Sequence, residues 1–149
     1  MAANWQERFT VVPAVFMIVR NDKGQILMLR RANTGFMDGF YSLPAGHLDG
    51  GETAQVAVCR EALEEVGITV RPEDLRLAHV VHEKADGHER INLGFEASSF
   101  AGEPYNAEPE KCSEIIWADL QNLPEQTVPQ VRAMLQNLQS GHIYSEFGF

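Results

Sequence analysis

Residues 46–68 read GHLDGGETAQVAVCREALEEVGI, and this segment organises the chain around one helix. Good helix formers run from Thr53 to Val66, Thr53 is a suitable N-cap, and Gly67 stands where a left-handed C-terminal cap is expected. The apolar residues recur at helical spacing and are predicted to cover one broad face. They are Ala54, Ala57, Val58, Ala62 and Val66. We therefore predict a helix over 53–66 whose opposite face is acidic.

Three glutamates of this helix, Glu61, Glu64 and Glu65, form a carboxylate cluster. Glu61 neighbours both of the others along the helix surface, and like charges at that spacing destabilise a helix by roughly 0.2–0.5 kcal/mol per pair. A hard divalent cation such as Mg²⁺ takes oxygen ligands and would relieve this repulsion. Taken alone, the spacing ExxEE is more typical of a solvated helix face. The residues around the cluster decide between the two interpretations.

The surrounding residues have a defined spacing. Glu52 lies six positions after Gly46, and Arg60 lies eight positions after Glu52. The series consists of Gly46, Glu52, Arg60, Glu61, Glu64, Glu65, Gly67 and Ile68. It resembles the signature of the Nudix family, G-x5-E-x7-R-E-U-x-E-E-x-G-U, where U is a bulky aliphatic residue. One position departs, because Ala62 stands where a bulkier aliphatic residue is usual. We interpret Ala62 as a packing change on the inward face of the helix.

The resemblance implies that the clustered glutamates hold Mg²⁺, with Mn²⁺ as the alternative cofactor. It also implies that Glu61, Glu64 and Arg60 are the catalytic residues. Glu52 and Arg60 would brace the loop against the helix, and Glu52 is a further candidate metal ligand. Ala45 stands where the family often has glycine, and its backbone carbonyl is another candidate ligand.

Three residues outside the helix are candidates for substrate binding: Arg31, His47 and Glu110. Arg31 ends a predicted strand, His47 lies in the Gly-rich loop before the helix, and Glu110 lies in a polar loop over 104–110. For each, an ordinary solvated surface position is the alternative. The general base is either a glutamate of the helix cluster or one outside the helix, where Glu110 and Glu96 are candidates, since a positioned carboxylate can take a proton from an attacking water.

Outside residues 46–68, strand-like runs alternate with turns and a second helix follows near the end. The predicted elements are a first hairpin of Phe9–Arg20 and Gln25–Arg31, a second hairpin of 75–84 and 89–100, a strand at 113–120 and a helix at 127–139. We expect a single domain over residues 1–149. Its expected class is α+β (mixed α/β), with a mixed β-sheet sandwiched between helices, as the resemblance also implies.

The formal net charge of −9 limits the partners of the chain. Affinity for a nucleic-acid backbone comes from Lys and Arg that displace counterions, so no nucleic-acid polymer is expected as a partner. A phosphate-containing substrate then requires local neutralisation, which a bound divalent cation supplies. No apolar run approaches the roughly 20 residues of a membrane-spanning helix, and Met1–Thr10 lacks a signal-peptide pattern. We expect no membrane partner, a cytoplasmic location and reduced thiols at Cys59 and Cys112.

The stretches 44–48 and 108–111 are similar to the MutT-like nucleoside triphosphate diphosphatases of the family, which release a nucleoside monophosphate and pyrophosphate. We therefore predict a pyrophosphohydrolase that binds a nucleotide-like small molecule. A nucleotide-sugar or dinucleotide pyrophosphatase is the alternative within the family. A non-catalytic binding module would be expected to lack a glutamate of the signature, and an isoprenoid diphosphate isomerase would need a catalytic cysteine.

The C-terminal tail, residues 142–149, carries the apolar side chains Ile143, Tyr144, Phe147 and Phe149. These side chains would either pack on a second copy of the chain, giving a homodimer, or cover the chain's own core. The sequence favours neither alternative.

Overall fold

Two β-sheets and two helices make up the fold in the computed structural model, which describes residues 4–149. The strands are β1 (Val12–Ile18), β2 (Ile26–Arg31), β3 (Tyr41–Ser42), β4 (Ala45–His47), β5 (Leu75–Ala85), β6 (His88–Ala97), β7 (Cys112–Ala118) and β8 (Tyr144–Phe147). The helices are α1 (Ala54–Val66) and α2 (Pro129–Ser140). Among residues 4–149, neither helix has the length and apolar composition of a membrane span. Residues 1–3 of the expected single domain, and of the segment Met1–Thr10, lie outside the described residues.

The larger sheet has the strand order β4-β1-β6-β5-β8 and mixes both strand directions. In this sheet β1 pairs antiparallel with β4 and parallel with β6, while β5 pairs antiparallel with β6 and parallel with β8. The smaller sheet, β3-β2-β7, is antiparallel. Helix α1 packs against β1, β4 and β6, and α2 packs against β5 and β8. The expected α+β class, with mixed sheet between helices, is confirmed.

Side chains on opposite faces of β1 and β2 enter two separate cores. Met17 and Leu27 pack in the core beneath α1, whereas Ile18 and Ile26 pack in the core beneath α2. Successive side chains of a strand point to opposite faces, so one apolar run contributes side chains to the cores beneath both helices. Both strands are therefore buried on both sides.

Helix α1 begins and ends where its capping residues predict. The Thr53 hydroxyl accepts the Val56 backbone N–H at 3.2 Å, and Gly67 has a left-handed φ of 71°. Ala62 is fully buried, at 0% exposure, in the core beneath the helix. The inward position predicted for this residue is confirmed.

The predicted pairing of the first two strands is wrong, although the turn between them forms. Asn21 Oδ1 accepts the backbone N–H groups of Lys23 and Gln25, and after a single bridge between Arg20 and Ile26 the chain segments separate into different sheets. A continuous apolar run is typical of a strand buried on both faces, often in parallel pairing, whereas an exposed hairpin alternates apolar and polar residues. β1 has such a run and pairs parallel with β6.

The second predicted hairpin is confirmed. β5 and β6 pair in an antiparallel ladder that closes at Ala85 and His88, around the turn at Asp86 and Gly87. The ladder shifts register between Leu77 and His79. The predicted strand at 113–120 and helix at 127–139 are observed as β7 and α2, with slightly different ends.

The C-terminal tail forms β8 along the outer edge of β5. Phe147 packs against the core beneath α2, whereas Ile143 and Phe149 are exposed. The tail therefore extends its own sheet, and a homodimer stays a prediction.

Removing the N-cap of α1 should destabilise the protein. Thr53→Ala deletes the acceptor of the Val56 N–H and should lower the free energy of unfolding by about 1 kcal/mol. Thr53→Ser keeps a hydroxyl and should stay within about 0.5 kcal/mol of the wild type. Urea unfolding followed by circular dichroism measures both, and equal losses in the two variants would show that the hydroxyl does not cap the helix.

Candidate active site

Arg60 connects the loop before α1 with the carboxylates of the helix. Its Nε and Nη2 donate to the two oxygens of Glu52 at 3.2 and 2.8 Å, and its Nη1 donates to Glu61 Oε1 at 2.9 Å. Nη1 also donates to Glu64 Oε2 at 3.4 Å, and Nη2 donates to the His47 carbonyl at 3.2 Å. These contacts, with the hydrogen bond to Glu52 contributing most, raise the pKa of Arg60 above its ordinary value. A permanently charged guanidinium therefore fixes the loop to the helix.

Glu52 is the loop's half of this connection. Its side chain is 14% exposed, and its Oε1 also accepts the Asp49 backbone N–H at 2.9 Å. The hydrogen bond from Arg60 is the main cause that lowers the pKa of Glu52 below its ordinary value. With both oxygens engaged by Arg60, Glu52 has the geometry of the brace that the resemblance implies, and a direct contact with metal stays a prediction.

Gly46 lies against the carboxylate of Glu61. A Cβ built on Gly46 would overlap the carboxylate of that glutamate. Gly46 is opposite Val15 in the ladder between β4 and β1. Only a residue without a side chain lets the strand backbone approach the carboxylate this closely. The requirement for glycine at position 46 of the signature is therefore steric.

Glu65 turns inward, although the helical periodicity predicts that it faces solvent with the other two glutamates. Its Oε2 accepts the Ala45 backbone N–H at 3.2 Å, and it lines a cavity together with Arg31 and Glu108. Burial is the main cause that raises the pKa of Glu65 to about 8, and the charges of Glu61 and Glu108 add to the rise. A buried carboxylate among like charges is costly as an anion unless a cation lies beside it. This environment fits a divalent cation.

Glu61 and Glu64 complete the carboxylates of α1. The Glu61 side chain is 15% exposed, and burial raises its pKa against the effect of the Arg60 hydrogen bond. Glu64 is on the helix surface, with 51% of its side chain exposed. Across residues 4–149 no three acidic, His or Cys side chains already converge as a metal site. The chemistry of the donors still fits Mg²⁺, which prefers a few carboxylate oxygens completed by water and substrate phosphates.

Ala45 presents backbone groups to the same place. Met17 N–H donates to the Pro44 carbonyl at 2.8 Å, so the next opposed pair, Phe16 and Ala45, is of the non-hydrogen-bonded kind. The N–H and C=O of a strand residue point to the same side, and those of Ala45 therefore point away from β1 and towards Glu65. This orientation leaves the carbonyl available as a ligand, and that role stays a prediction.

Two adjoining cavities form one cleft beside these residues. The smaller, about 170 Å³, is lined by Glu65 and Glu108, and the larger, about 330 Å³, extends over the sheet to α2. Arg31 and Ala45 line both cavities. The cleft therefore joins the carboxylate end of the site to a larger chamber.

Cationic groups gather in this cleft. Arg31 and His47, both predicted substrate contacts, line it together with Arg90 of β6. Arg31 is oriented by hydrogen bonds to the Phe36 carbonyl at 2.7 Å and the Thr34 hydroxyl at 2.9 Å. Burial lowers the pKa of Arg31 and of His47, and the charge of Arg90 adds to both effects. In a chain of net charge −9, this grouping suits an anionic ligand.

Two acidic candidates lie elsewhere. Glu110 is exposed and is not part of the cleft lining, and Glu108, two residues earlier, takes that place. Glu96 forms ion pairs with Arg20 at 2.7 Å and Arg76 at 2.8 Å. The geometry thus favours Glu108 over both as the acidic loop residue nearest to the carboxylates of α1.

The charged cleft residues missing from the sequence predictions are Arg90, Glu83, Glu108 and Lys111. Glu83 and Arg90 are opposite each other in the ladder of β5 and β6. Glu83 and Arg90 could have been predicted from the sequence, because each is a charged residue at a strand position whose side chain should point inward. Glu108 lies in an irregular loop, where no periodicity indicates which side chain faces the site.

Comparison with known proteins decides the family. Residues 10–138 match the model of the NUDIX domain. The chain belongs to the Nudix family. Relatives of the chain are named for hydrolysis of nucleotide derivatives, namely NAD-capped RNA, 8-oxo-dGTP and ADP-ribose.

Two relatives show how the chain compares in length with other Nudix proteins. An 8-oxo-dGTP diphosphatase of Escherichia coli is 32% identical over 118 residues, which cover 76% of this chain and 88% of the relative. A NAD-capped RNA hydrolase, NudC, of Stutzerimonas stutzeri is 32% identical over 108 residues, which cover 72% of this chain. The match spans 37% of the length of that hydrolase.

A solved structure agrees with the Nudix fold. The crystal structure of a MutT NUDIX hydrolase from Burkholderia pseudomallei superposes with a TM-score of 0.77 and is 29% identical. The superposition covers 85% of this chain and 97% of that chain. The fold implied by the signature is therefore confirmed.

Filling the space at Gly46 should displace Glu61. Gly46→Ala should lower the free energy of unfolding by about 1–3 kcal/mol, because the new methyl group overlaps the carboxylate. In a Glu61→Ala background the same substitution should cost clearly less, since the overlapping group is gone. A double-mutant cycle by urea unfolding measures the difference. Additive effects would show that the two residues are not in steric conflict.

Mg²⁺ should stabilise the protein through Glu65. A ligand that binds only the folded state stabilises it by mass action, so millimolar MgCl₂ should raise the unfolding temperature of the wild type. Glu65→Gln should abolish most of this rise, while Glu110→Gln, which alters an exposed loop carboxylate, should retain it. Differential scanning calorimetry at increasing MgCl₂ gives the comparison. An undiminished rise in Glu65→Gln would exclude Glu65 as a ligand.

Proposed function

We propose that this Nudix hydrolase is a divalent-metal-dependent nucleoside triphosphate pyrophosphohydrolase, which converts the substrate to a nucleoside monophosphate and pyrophosphate. The cleft carries this proposal, because it joins the Glu65 carboxylate of α1 to the basic side chains of Arg31, His47 and Arg90. Carboxylates suit Mg²⁺, and the cationic groups suit a polyphosphate chain. The match to most of the length of a diphosphatase that acts on 8-oxo-dGTP adds support.

In this mechanism the metal would be held by Glu61 and Glu65, with the Ala45 carbonyl and Glu52 as further candidates, while Glu64 of the predicted ligand set would act on the proton instead. When bound, Mg²⁺ or Mn²⁺ would neutralise charge on phosphoryl oxygens and would make water a better nucleophile. The guanidinium of Arg60 joins the loop to α1 through its hydrogen bonds to Glu52 and Glu61.

The phosphate chain would lie along the cationic side of the cleft. Arg31 and Arg90 offer planar sets of N–H donors that match the oxygens of a phosphate group. Because its pKa is lowered, His47 is mostly neutral near pH 7, where it offers one ring N–H without adding a full charge. These groups bind and orient the substrate, which is the larger part of catalysis in phosphoryl transfer.

The attacking water needs a group that accepts its proton, and Glu64 is our candidate. Glu64 is exposed whereas Glu61 and Glu65 are partly buried, and its contact with Arg60 is long, at 3.4 Å. In the step, the water oxygen bonds to phosphorus and the bridging P–O bond breaks. The electron pair leaves with pyrophosphate, and the proton of the water passes to the carboxylate.

Two other readings of the signature have less support. Burial raises the pKa of both Cys59 and Cys112, and a protonated thiol is a poor nucleophile, which disfavours a cysteine-dependent isomerase. Every glutamate of the signature is present, which disfavours a non-catalytic binding module.

A nucleotide-sugar or dinucleotide pyrophosphatase is the remaining alternative. An ADP-ribose pyrophosphatase of Methanocaldococcus jannaschii is 31% identical over 120 residues, which cover 79% of this chain and 69% of the relative. Such an enzyme would share the metal chemistry and differ in the second group that it binds. The cytoplasmic location stays a prediction for either substrate class.

The substrate class can be tested with a panel of nucleoside triphosphates, nucleotide sugars and dinucleotides in the presence of Mg²⁺. We expect turnover of triphosphates with pyrophosphate as a product. Glu64→Gln should lower kcat roughly 10²–10⁴-fold, the range for loss of a general base. Glu110→Gln, an exposed carboxylate outside the cleft, serves as the matched control and should retain wild-type activity.

Product analysis separates the outcomes. Orthophosphate and a nucleoside diphosphate as products would contradict the proposed bond cleavage. Turnover of nucleotide sugars or dinucleotides alone would establish the alternative substrate class. Full activity in Glu64→Gln would remove this residue from the proton-transfer step and leave the substrate assignment intact.

A further inference from the structure

Glu83 of β5 is a buried carboxylate at the α2 end of the cleft. The residue is 5% exposed and lines the larger cavity together with Gln130. Asn92 Nδ2 donates to Glu83 Oε2 at 2.8 Å, and Gln130 Nε2 donates to Glu83 Oε1 at 2.6 Å. Two neutral amides therefore hold this carboxylate, and it forms no ion pair with any residue of the described range 4–149.

A cation is near enough to pair with Glu83 but is directed elsewhere. Arg90 is the cross-strand partner of Glu83, and directly opposed side chains lie within interaction distance. Its Nε instead donates to His88 Nε2 at 2.8 Å, and its charge acts on Arg31 and His47. Arg90 therefore acts with Arg31 and His47, and Glu83 is left without an ion pair.

The carboxylate of Glu83 has unused acceptor capacity. A carboxylate offers about four lone-pair sites on its two oxygens. One amide hydrogen bond reaches each oxygen, so a site on each oxygen is left for a donor from the cavity. Asn92 is 1% exposed, and its own Oδ1 has no partner among the described residues. The amide of Asn92 is thus committed to holding Glu83, while its oxygen is left unsatisfied.

The position of Glu83 suits the far end of a nucleotide. His47, Ala14, Asn92 and Glu83 point to one face of the larger sheet, on the successive strands β4, β1, β6 and β5. At about 4.8 Å between neighbouring strands, Glu83 is roughly 14 Å across the sheet from β4. The cavity between them has apolar walls that include Phe16, Val128 and Val131. Phosphates at the β4 end would place the base beside Glu83.

We propose that Glu83 is a specificity-determining residue that accepts hydrogen bonds from a nucleobase with two adjacent N–H donors, as guanine has at N1 and N2. This inference rests on the proposed function, because it assumes a nucleotide in the cleft. Uracil and thymine present one N–H between two carbonyls, and adenine and cytosine present an amino group beside a ring acceptor. Only the guanine type of edge matches both oxygens of the carboxylate without placing an acceptor against it. A site built around a buried acceptor discriminates strongly against ligands that leave it unpaired.

The first test compares kcat/KM for GTP, ITP and UTP in the wild type, since ITP differs from GTP by the missing 2-amino group. We expect the order GTP, ITP, UTP, with GTP favoured over UTP by roughly 10-fold to 100-fold, the range for one bidentate base contact. This comparison requires no variant and is therefore independent of folding defects. Equal values for the three substrates would overturn the proposal.

The second test uses Glu83→Gln, with Glu146→Gln on the neighbouring strand β8 as the matched control. Glu83→Gln should lower kcat/KM for GTP by roughly 10-fold to 100-fold, mainly through KM, and leave UTP nearly unchanged. Glu146→Gln should retain the wild-type order. A merely structural role for Glu83 would lower all three values by one common factor, and that result would overturn the proposal.

Binding measurements keep this inference distinct from the proposed function. Calorimetric titration with GMP, IMP and UMP reports base preference even if no triphosphate is hydrolysed. Absence of hydrolysis together with a GMP preference that Glu83→Gln abolishes would refute the proposed reaction and support the role of Glu83. Hydrolysis with an unchanged base preference in Glu83→Gln would support the reaction and overturn the role of Glu83.

Discussion

The contact between Arg60 and Glu52 joins the Gly-rich loop to α1, and the geometry of the site depends on it. The guanidinium donates hydrogen bonds to Glu52, Glu61, Glu64 and the carbonyl of His47. One planar group therefore orients four acceptor residues at once. Multiple charge-assisted hydrogen bonds of this kind are both strong and directional. A lysine would carry the same charge without the fixed fork of donors, which explains why the chemistry of this position calls for arginine.

The contrast between Glu52 and Glu65 shows how one residue type acquires different properties at the two ends of the segment formed by the loop and α1. Hydrogen bonds from Arg60 lower the pKa of Glu52, whereas burial beside other carboxylates raises that of Glu65 to about 8. Glu52 is thus stable as an anion without any further ligand. Burial disfavours the anion of Glu65, and a cation beside it would offset that cost, so Glu52 suits a structural role and Glu65 suits a metal.

The sequence predicts best what local geometry determines. The caps Thr53 and Gly67, the inward face at Ala62 and the neighbouring positions of the helix glutamates all follow from spacing along one helix. The separation of β1 from β2 could not be predicted from the turn at Asn21, because sheet partners are chosen by contacts distant in sequence. The same holds for the inward turn of Glu65 and for Glu83 and Arg90, whose roles appear only when β5, β6 and α2 come together.

The short strand β8 has a consequence for the solubility of the chain. It covers residues 80–83 of β5, in the middle of the longest strand of the larger sheet. An uncovered strand edge presents free N–H and C=O groups that pair with other molecules, and native proteins protect such edges with short or charged strands. Tyr144–Phe147 provides this protection with four residues, including the charged Glu146. Chains shortened before β8 would therefore aggregate through the exposed edge of β5, the strand that carries Glu83. The tail thus prevents self-association by covering that edge.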